Sequence, residues 1–178
     1  MTNFHDLIVN RRSIRKFTHE EISADDVKTI MEAALMAPTS KSTRAWQFVL
    51  VEDSEKLLAL SKCKEHGAHP IADASLAIVV AIDVEATDPW IEDASIAATY
   101  IQLQAQDLGL GSCWIQVRGR EVNEELESET YVQNILDMPD TILPVCIIAL
   151  GHPDEEKKPQ ALDKLKWEKV HIGTWQEK

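Results

Sequence analysis

Leu76-Ala77-Ile78-Val79-Val80-Ala81-Ile82 is an unbroken apolar run near the middle of the chain. A strand with one solvated face alternates apolar and polar residues, whereas a strand covered on both faces is apolar throughout. The run is also far shorter than the roughly 18–20 residues that a membrane-spanning helix needs. It therefore predicts a core β-strand that is buried on both faces.

Further strands and helices are predicted on either side of this run. The strands are expected at residues 46–51, 112–116 and 144–150. The helices are expected at residues 23–37, 54–60 and 88–109, and residues 121–137 are expected to be helical with loops. Ser23 followed by Asp26 resembles a capping box, and Asp88-Pro89 combines a capping residue with proline at the first helical position. Helices and strands alternate, but this pattern does not give the order of the strands in the sheet.

The composition narrows the class of protein and of partner. The 178 residues fit one domain, and 18 Lys and Arg against 30 Asp and Glu give a net charge of −12. This balance argues against nucleic acid as a partner, because no basic face remains once residues 11–16 are set aside. No membrane span or signal-peptide pattern is found, so we expect no membrane partner. Cys63, Cys113 and Cys146 are odd in number and widely spaced, which favours free thiols in a cytoplasmic protein.

A basic segment, Arg11-Arg12-Ser13-Ile14-Arg15-Lys16, places four cations within six residues of this acidic chain. Guanidinium groups form planar paired hydrogen bonds with phosphate, and a serine hydroxyl adds a neutral donor. The segment can therefore serve as a local phosphate site in a protein that repels anions at long range. The alternative is a solvated helix end, where cations complement the helix dipole. Spacing alone leaves both interpretations open.

Other motifs favour structural interpretations. Gly109 and Gly111 follow a helix and precede a strand, the reverse of a dinucleotide-binding turn, so a helix C-cap and a turn are predicted. His66 and His69 have a spacing that can chelate a metal on a helix, but glycine and proline interrupt this segment and no third ligand is evident. No Ser, His and Asp set and no acid/base pair stands out. We therefore predict no metal site and no catalytic side chain.

Four segments, in order, resemble the signatures of the flavin-dependent nitroreductase family. They are Arg11-Arg12-Ser13-Ile14-Arg15-Lys16-Phe17, Ala37-Pro38-Thr39-Ser40-Lys41-Ser42-Thr43-Arg44-Ala45-Trp46-Gln47-Phe48, Leu108-Gly109-Leu110-Gly111-Ser112-Cys113-Trp114-Ile115, and Ala149-Leu150-Gly151-His152-Pro153 with Lys157 and Lys158 after it. Each segment alone is a weak signal. Four of them in the expected order, across essentially the whole chain, are specific.

The resemblance implies an α+β sandwich with a central mixed, mainly antiparallel sheet flanked by helices, built as an intertwined homodimer. Residues 1–178 would form a single nitroreductase-like domain, with the residues after about 152 as a C-terminal extension. The implied cofactor is FMN at the dimer interface. The implied hydride donor is NADH or NADPH, and the implied acceptor is a small aromatic nitro compound or quinone, reduced in a ping-pong cycle. Two alternatives stay open: narrow reductive chemistry such as dehalogenation or flavin breakdown, and a flavin-binding protein without turnover.

The resemblance also implies which residues contact the cofactor. The phosphate, ribityl chain and pyrimidine edge would be held by Arg11, Arg12, Ser13 and Arg15. The partner subunit would contribute Pro38, Thr39, Ser40 and Ser42. The flavin ring would be lined by Trp114, Ile115 and Gln116, and the phosphate site would be completed by Gly151 and Lys157 or Lys158. A cation such as Arg15 beside N1 and the C2 carbonyl would favour two-electron reduction. Ser42, Arg44 and Ala45 stand where family members often carry Asn, Gln and Pro, and Arg44 is expected to bias substrates towards anions.

Overall fold

The computed structural model describes residues 3–175 and has a four-stranded sheet at its centre. The strands are β1 (Trp46–Val51), β2 (Leu76–Asp83), β3 (Gly111–Gln116), β4 (Glu121–Asn123), β5 (Leu126–Glu127) and β6 (Ile142–Gly151). The central sheet has the order β1-β2-β6-β3, and its neighbours run antiparallel. An isolated parallel bridge between Ser13 and Ser112 adds a parallel contact at the edge of β3. The prediction of a mainly antiparallel central sheet is confirmed.

Helices cover both faces of this sheet. They are α1 (Phe4–Asn10), α2 (Ala24–Leu35), α3 (Ser54–Leu60), α4 (Trp90–Asp107) and α5 (Ser128–Leu136). Ser23 caps α2 as predicted, since its Oγ accepts a hydrogen bond from the Asp26 amide at 3.1 Å. The start predicted for α4 is one residue too early, because Pro89 has non-helical backbone angles and occupies the N-cap position. Within residues 3–175, no helix has both the length and the hydropathy to cross a membrane.

The prediction of a helix with loops over residues 121–137 is wrong for the first half of this range. β4 and β5 form a two-stranded antiparallel hairpin, and the helix α5 begins only after them. The Asn123 side chain accepts a hydrogen bond from the Glu125 amide at 2.9 Å, a local bond that stabilises a turn. Glutamate, which favours helices, dominates this short segment, so no alternating strand pattern was visible in the sequence.

Strand β2 lies between two hydrophobic clusters. Ile78, Val80 and Ile82 belong to the cluster formed with α2 and α4, whereas Ala77 and Val79 belong to the cluster formed with α3 and α5. The α4 residues of the first cluster are mostly small, namely Ala94, Ala97, Ala98 and Ala105 together with Ile101. Small side chains allow a helix axis to approach the sheet closely. The prediction of a core strand that is buried on both faces is confirmed.

Gly109, the first glycine of the third family segment, is required by the way in which α4 ends. Gly109 has a φ of +77°, and its amide donates to the Gln106 carbonyl at 3.1 Å. The Leu110 amide donates to the Ala105 carbonyl at 2.8 Å, which completes a Schellman motif. The predicted C-cap is therefore confirmed. Gly111, which was predicted to lie in a turn, is instead the first residue of β3.

Candidate functional site

The basic segment, residues 11–16, lies between the outer edge of β3 and the residues that follow β6. The Ile14 amide donates to the Ser112 carbonyl at 2.9 Å. On the other side, the Asp154 amide donates to the Lys16 carbonyl, and the Thr18 amide donates to the His152 carbonyl, both at 2.9 Å. These bonds place the first, third and fourth family segments side by side, although they are far apart along the chain.

Two glycines allow this close approach. Gly111 and Gly151 are register partners in β3 and β6. A Cβ atom on Gly111 would lie 2.8 Å from Cγ2 of Ile14, and one on Gly151 would lie 2.9 Å from Cδ1 of Phe17. Both distances are shorter than any ordinary carbon contact. Any larger residue would therefore push the basic segment away from the sheet, so the structural role of Gly151 is to seat that segment.

Cations from both ends of the chain meet at this point. The Arg12 guanidinium donates to the Lys158 carbonyl. Glu155 lies among these cations: its Oε1 accepts from the Arg15 amide at 2.7 Å, and its Oε2 forms an ion pair with Lys157 Nζ at 2.6 Å. These two hydrogen bonds, with that from Lys157 the stronger influence, hold the pKa of Glu155 below its ordinary value. Sequence reasoning missed Glu155, because its partner Arg15 is 140 residues away.

The loop of the second family segment has a strained backbone. Lys41, Ser42 and Arg44 all have φ between 51° and 56°, the left-handed region that non-glycine residues rarely adopt. The Arg44 amide is held by Thr39 Oγ1 at 3.0 Å. A groove of about 450 Å³ beside the loop is lined by Leu35, Met36, Ala37, Pro38, Thr39, Ser42 and Arg44. Backbone strain of this kind is found at functional sites whose surroundings enforce it.

A buried carboxylate on α4 anchors that loop. Asp93 is only 3% exposed, and its Oδ1 accepts from the Ser40 amide at 2.9 Å. Its Oδ2 lies 3.3 Å from the Thr87 hydroxyl, which donates to it. In the sequence, acidic residues in the first turn of a helix favour the helix dipole, so nothing marked Asp93 as the anchor of a distant loop.

The outer edge of β3 is the third part of the site. Because the Ser112 carbonyl points outward to Ile14, and successive residues of a strand point their amide groups in opposite directions, the amide groups of Trp114 and Gln116 point to the same outer edge. Trp114 Nε1 donates to Gln116 Oε1 at 3.0 Å. The Ile115 side chain is fully buried in the cluster with α3 and α5. Ile115 thus packs in the core and positions its two neighbours.

The structure brings some of the predicted site residues together and separates others. Arg11, Arg12, Ser13, Arg15, Gly151, Lys157 and Lys158 belong to the segments that meet beside β3. The loop with Pro38, Thr39, Ser40 and Ser42 is anchored at Asp93, whereas Gln102 of the same helix lies 3.4 Å from the Ser112 hydroxyl beside the basic segment. The two anchors are nine positions apart along the helix, which is about 14 Å along its axis. The loop and the cation cluster therefore lie at different turns of α4.

Comparison with known proteins gives consistent results. The Nitroreductase family model matches residues 8–89 and 63–152. The structure of an FMN-dependent nitroreductase from Clostridium difficile R20291 superposes with a TM-score of 0.94 and 46% identity, covering 95% of this chain and 98% of that one. A relative from Archaeoglobus fulgidus, provisionally named an NADH dehydrogenase/NAD(P)H nitroreductase, is 33% identical across 95% of this chain and 97% of its own length. An FMN reductase (NADPH) from Bacillus subtilis is 29% identical across 90% of this chain and 70% of its own length.

The family model covers most of the chain, and the archaeal relative is similar over almost its full length. Three of the four segments recognised in the sequence meet beside β3, and the second forms the loop that is anchored at Asp93. On the sequence match, the shared fold and the arrangement of these segments, this chain belongs to the nitroreductase family.

Proposed function

We propose that this protein is an FMN-dependent oxidoreductase that takes hydride from NADH or NADPH and passes electrons to an aromatic nitro compound or quinone. The observation that carries the proposal is the basic segment lying against the open edge of β3, beside the residues that follow β6. This donor set fits FMN: cations for a phosphate, backbone amides for the polar edge of a ring, and a tryptophan for its plane. FMN, when bound, supplies the group that accepts hydride and later releases the electrons.

Different residues of the chain would bind different parts of the cofactor. Arg11 and Ser13 have side chains available to bind the phosphate. The guanidinium of Arg12 donates to the Lys158 carbonyl and so holds the C-terminal segment, and its remaining N–H groups would bind the cofactor. Arg15 would place positive charge beside the pyrimidine edge, where reduction builds up negative charge. Lys157, oriented by Glu155, would complete the phosphate site.

Catalysis would depend on position and electrostatics, since hydride transfer needs no side-chain nucleophile. The outward amide groups of Trp114 and Gln116 would orient the ring edge, and the hydrogen bond between their side chains keeps both rigid. A single open face would receive the nicotinamide and then the acceptor in turn. Such a shared face would give a ping-pong cycle.

We further propose that the working unit is a homodimer. The residues after 160 carry large apolar side chains that are exposed in the single chain: Leu162, Leu165, Trp167, Val170, Ile172 and Trp175. A groove of about 420 Å³ between α1, α2 and α4, lined by Phe4, Leu7, Tyr100 and Leu103 among others, offers apolar surface for a second copy. Exposed apolar area of this extent marks an interaction surface. The separation of the loop at Ser40 from the cation cluster supports a role for that loop at the partner's cofactor.

Steady-state kinetics test the proposed activity. The flavin-loaded protein should oxidise NADH or NADPH with an aromatic nitro compound or a quinone as acceptor. Double-reciprocal plots at several acceptor concentrations should be parallel, and the oxidised acceptor should compete with the nicotinamide. Intersecting lines together with simultaneous binding of both substrates would refute the shared site. A protein that is never reduced by either nicotinamide would refute the activity itself.

A further inference from the structure

Arg118 is a cation near the site that the four family segments do not include. Its guanidinium carbon lies 5.1 Å from the centre of the Trp90 ring, at the first residue of α4. A guanidinium over an aromatic face is attracted by the ring. The side chain nevertheless remains exposed to solvent. Across residues 3–175, the ion pairs within 4.0 Å do not involve this guanidinium.

Hydrogen bonds connect Arg118 to the edge of β3. Its carbonyl accepts from Gln116 Nε2 at 2.8 Å, and Gln116 Oε1 in turn accepts from Trp114 Nε1 at 3.0 Å. On α4, Trp90 lies one helical turn before Asp93, which anchors the Ser40 loop. Arg118 thus bridges the edge of β3 and the start of α4, the helix whose Asp93 anchors the strained loop.

The turn that carries Arg118 is ordered by bonds from other elements. The Arg118 amide donates to the Val145 carbonyl at 3.0 Å. The next residue, Gly119, has a φ of +67°, and its amide donates to Glu129 Oε1 at 2.6 Å. Because the backbone of this turn is ordered before a ligand arrives, binding here would cost less conformational entropy than binding to a mobile loop.

We propose that Arg118 binds an anionic group, such as a carboxylate, sulfonate or phosphate, on a substrate that exchanges electrons at the proposed flavin site. In a chain with a net charge of −12, an arginine without a carboxylate partner is a local point of attraction for such a group. This inference rests on the proposed function and narrows its substrate class. The anion could belong to the acceptor or to the phosphates of the nicotinamide donor, and the experiment separates the two sources.

The test compares wild-type holoenzyme with Arg118→Gln, Arg118→Lys and the control Arg120→Gln. Arg120 lies in the same turn and its substitution gives the same change in charge, but only its backbone atoms bond to the protein in the described chain. The acceptors are nitrobenzene and 4-nitrobenzoate, which differ in one carboxylate. Donor affinity is measured separately by anaerobic stopped-flow reduction with NADH and with NADPH.

We expect Arg118→Gln to raise the KM for 4-nitrobenzoate about tenfold, the scale of a lost charge-assisted hydrogen bond, without changing the KM for nitrobenzene. Arg118→Lys should recover part of the lost affinity for 4-nitrobenzoate, and Arg120→Gln should leave the KM for both acceptors unchanged. About 0.5 M salt should reduce the preference of the wild type for 4-nitrobenzoate. If only the Kd of the donor rises, the anion belongs to the donor and the inference still holds.

Two results would overturn the inference. If Arg118→Gln raised the KM of both acceptors equally and also weakened FMN binding, Arg118 would only support the fold. If the KM values of both acceptors and the Kd of the donor were all unchanged, Arg118 would bind no anion. In either case the wild-type enzyme would still turn over nitrobenzene, so the proposed function would stand. A wild-type protein that binds FMN but is never reduced would overturn the proposed function and this inference together.

Discussion

At the scale of single residues, Glu155 is the most informative position, because it is a carboxylate inside a cluster meant to hold a phosphate. Electrostatics alone predicts that its removal would tighten FMN binding, since one negative charge disappears. We predict the opposite. Glu155→Gln should raise the Kd for FMN several-fold, because Lys157 and the segment after β6 lose their anchor. Quenching of FMN fluorescence on titration measures this Kd.

Glu156→Gln is the matched control for that experiment. Glu156 is the exposed neighbour of Glu155, and the substitution makes the same change in charge. It should leave FMN binding unchanged or make it slightly tighter. If both variants bind FMN more tightly than the wild type, Glu155 is merely a competing anion and its positioning role is excluded.

The pH dependence of stability follows from the same residue. The folded-state pKa of Glu155 is lowered from its ordinary value of 4.5. The carboxylate therefore adds to the stability of the fold above pH 4.5, and this stabilisation is lost as the pH falls through the lower folded-state pKa. The difference in Tm between the wild type and Glu155→Gln should therefore be constant near neutral pH and shrink below about pH 4. Thermal unfolding followed by circular dichroism between pH 7 and 3 measures it. A difference that persists unchanged at pH 3 would exclude this ion pair as its source.

At the scale of elements, the strained loop depends on one buried carboxylate. Asp93→Asn leaves one oxygen to accept from the Ser40 amide or the Thr87 hydroxyl, and it places an amide donor against the other group. We expect the free energy of unfolding to fall by about 1–3 kcal/mol, the range for a buried hydrogen-bonding group left without its partner. Urea unfolding measures the change. Glu92→Gln, an exposed neighbour on α4, should change it little, and equal effects of the two substitutions would contradict the anchor.

The elements themselves show what the sequence can predict. The apolar run of β2 and the cap at Ser23 are local patterns, and both were predicted correctly. The β4–β5 hairpin was not, because its few polar residues carry no periodic pattern. For the site, the cations of residues 11–16 were visible as a cluster. The contacts of Glu155 and Asp93 were not visible, because they join residues 140 and 53 positions apart.

At the scale of the whole molecule, the proposed dimer makes cofactor binding depend on assembly. If residues 38–42 act at the partner's flavin, dilution to the monomer should release FMN. Sedimentation followed at a flavin absorbance should then show colour only at twice the chain mass of 20.0 kDa. A coloured species at the mass of one chain would contradict the shared site.

Substitution of Ile172 by Asp tests whether the C-terminal segment lies in the interface of the same dimer. Ile172 is 90% exposed in the single chain, so the substitution should not disturb its fold. It should weaken the dimer if this segment packs against a second copy, because burying a charge without a partner is costly. An unchanged dimer dissociation constant would place the segment outside the interface.

A visible absorption spectrum of the purified protein, recorded before and after anaerobic addition of NADH and then NADPH, tests the central claim most directly. The account predicts a flavin spectrum that is bleached by at least one of the two donors and restored by an aromatic nitro compound or quinone. A colourless protein that also fails to bind added FMN would contradict it. The basic segment would then be a solvated surface beside β3, without a phosphate to hold.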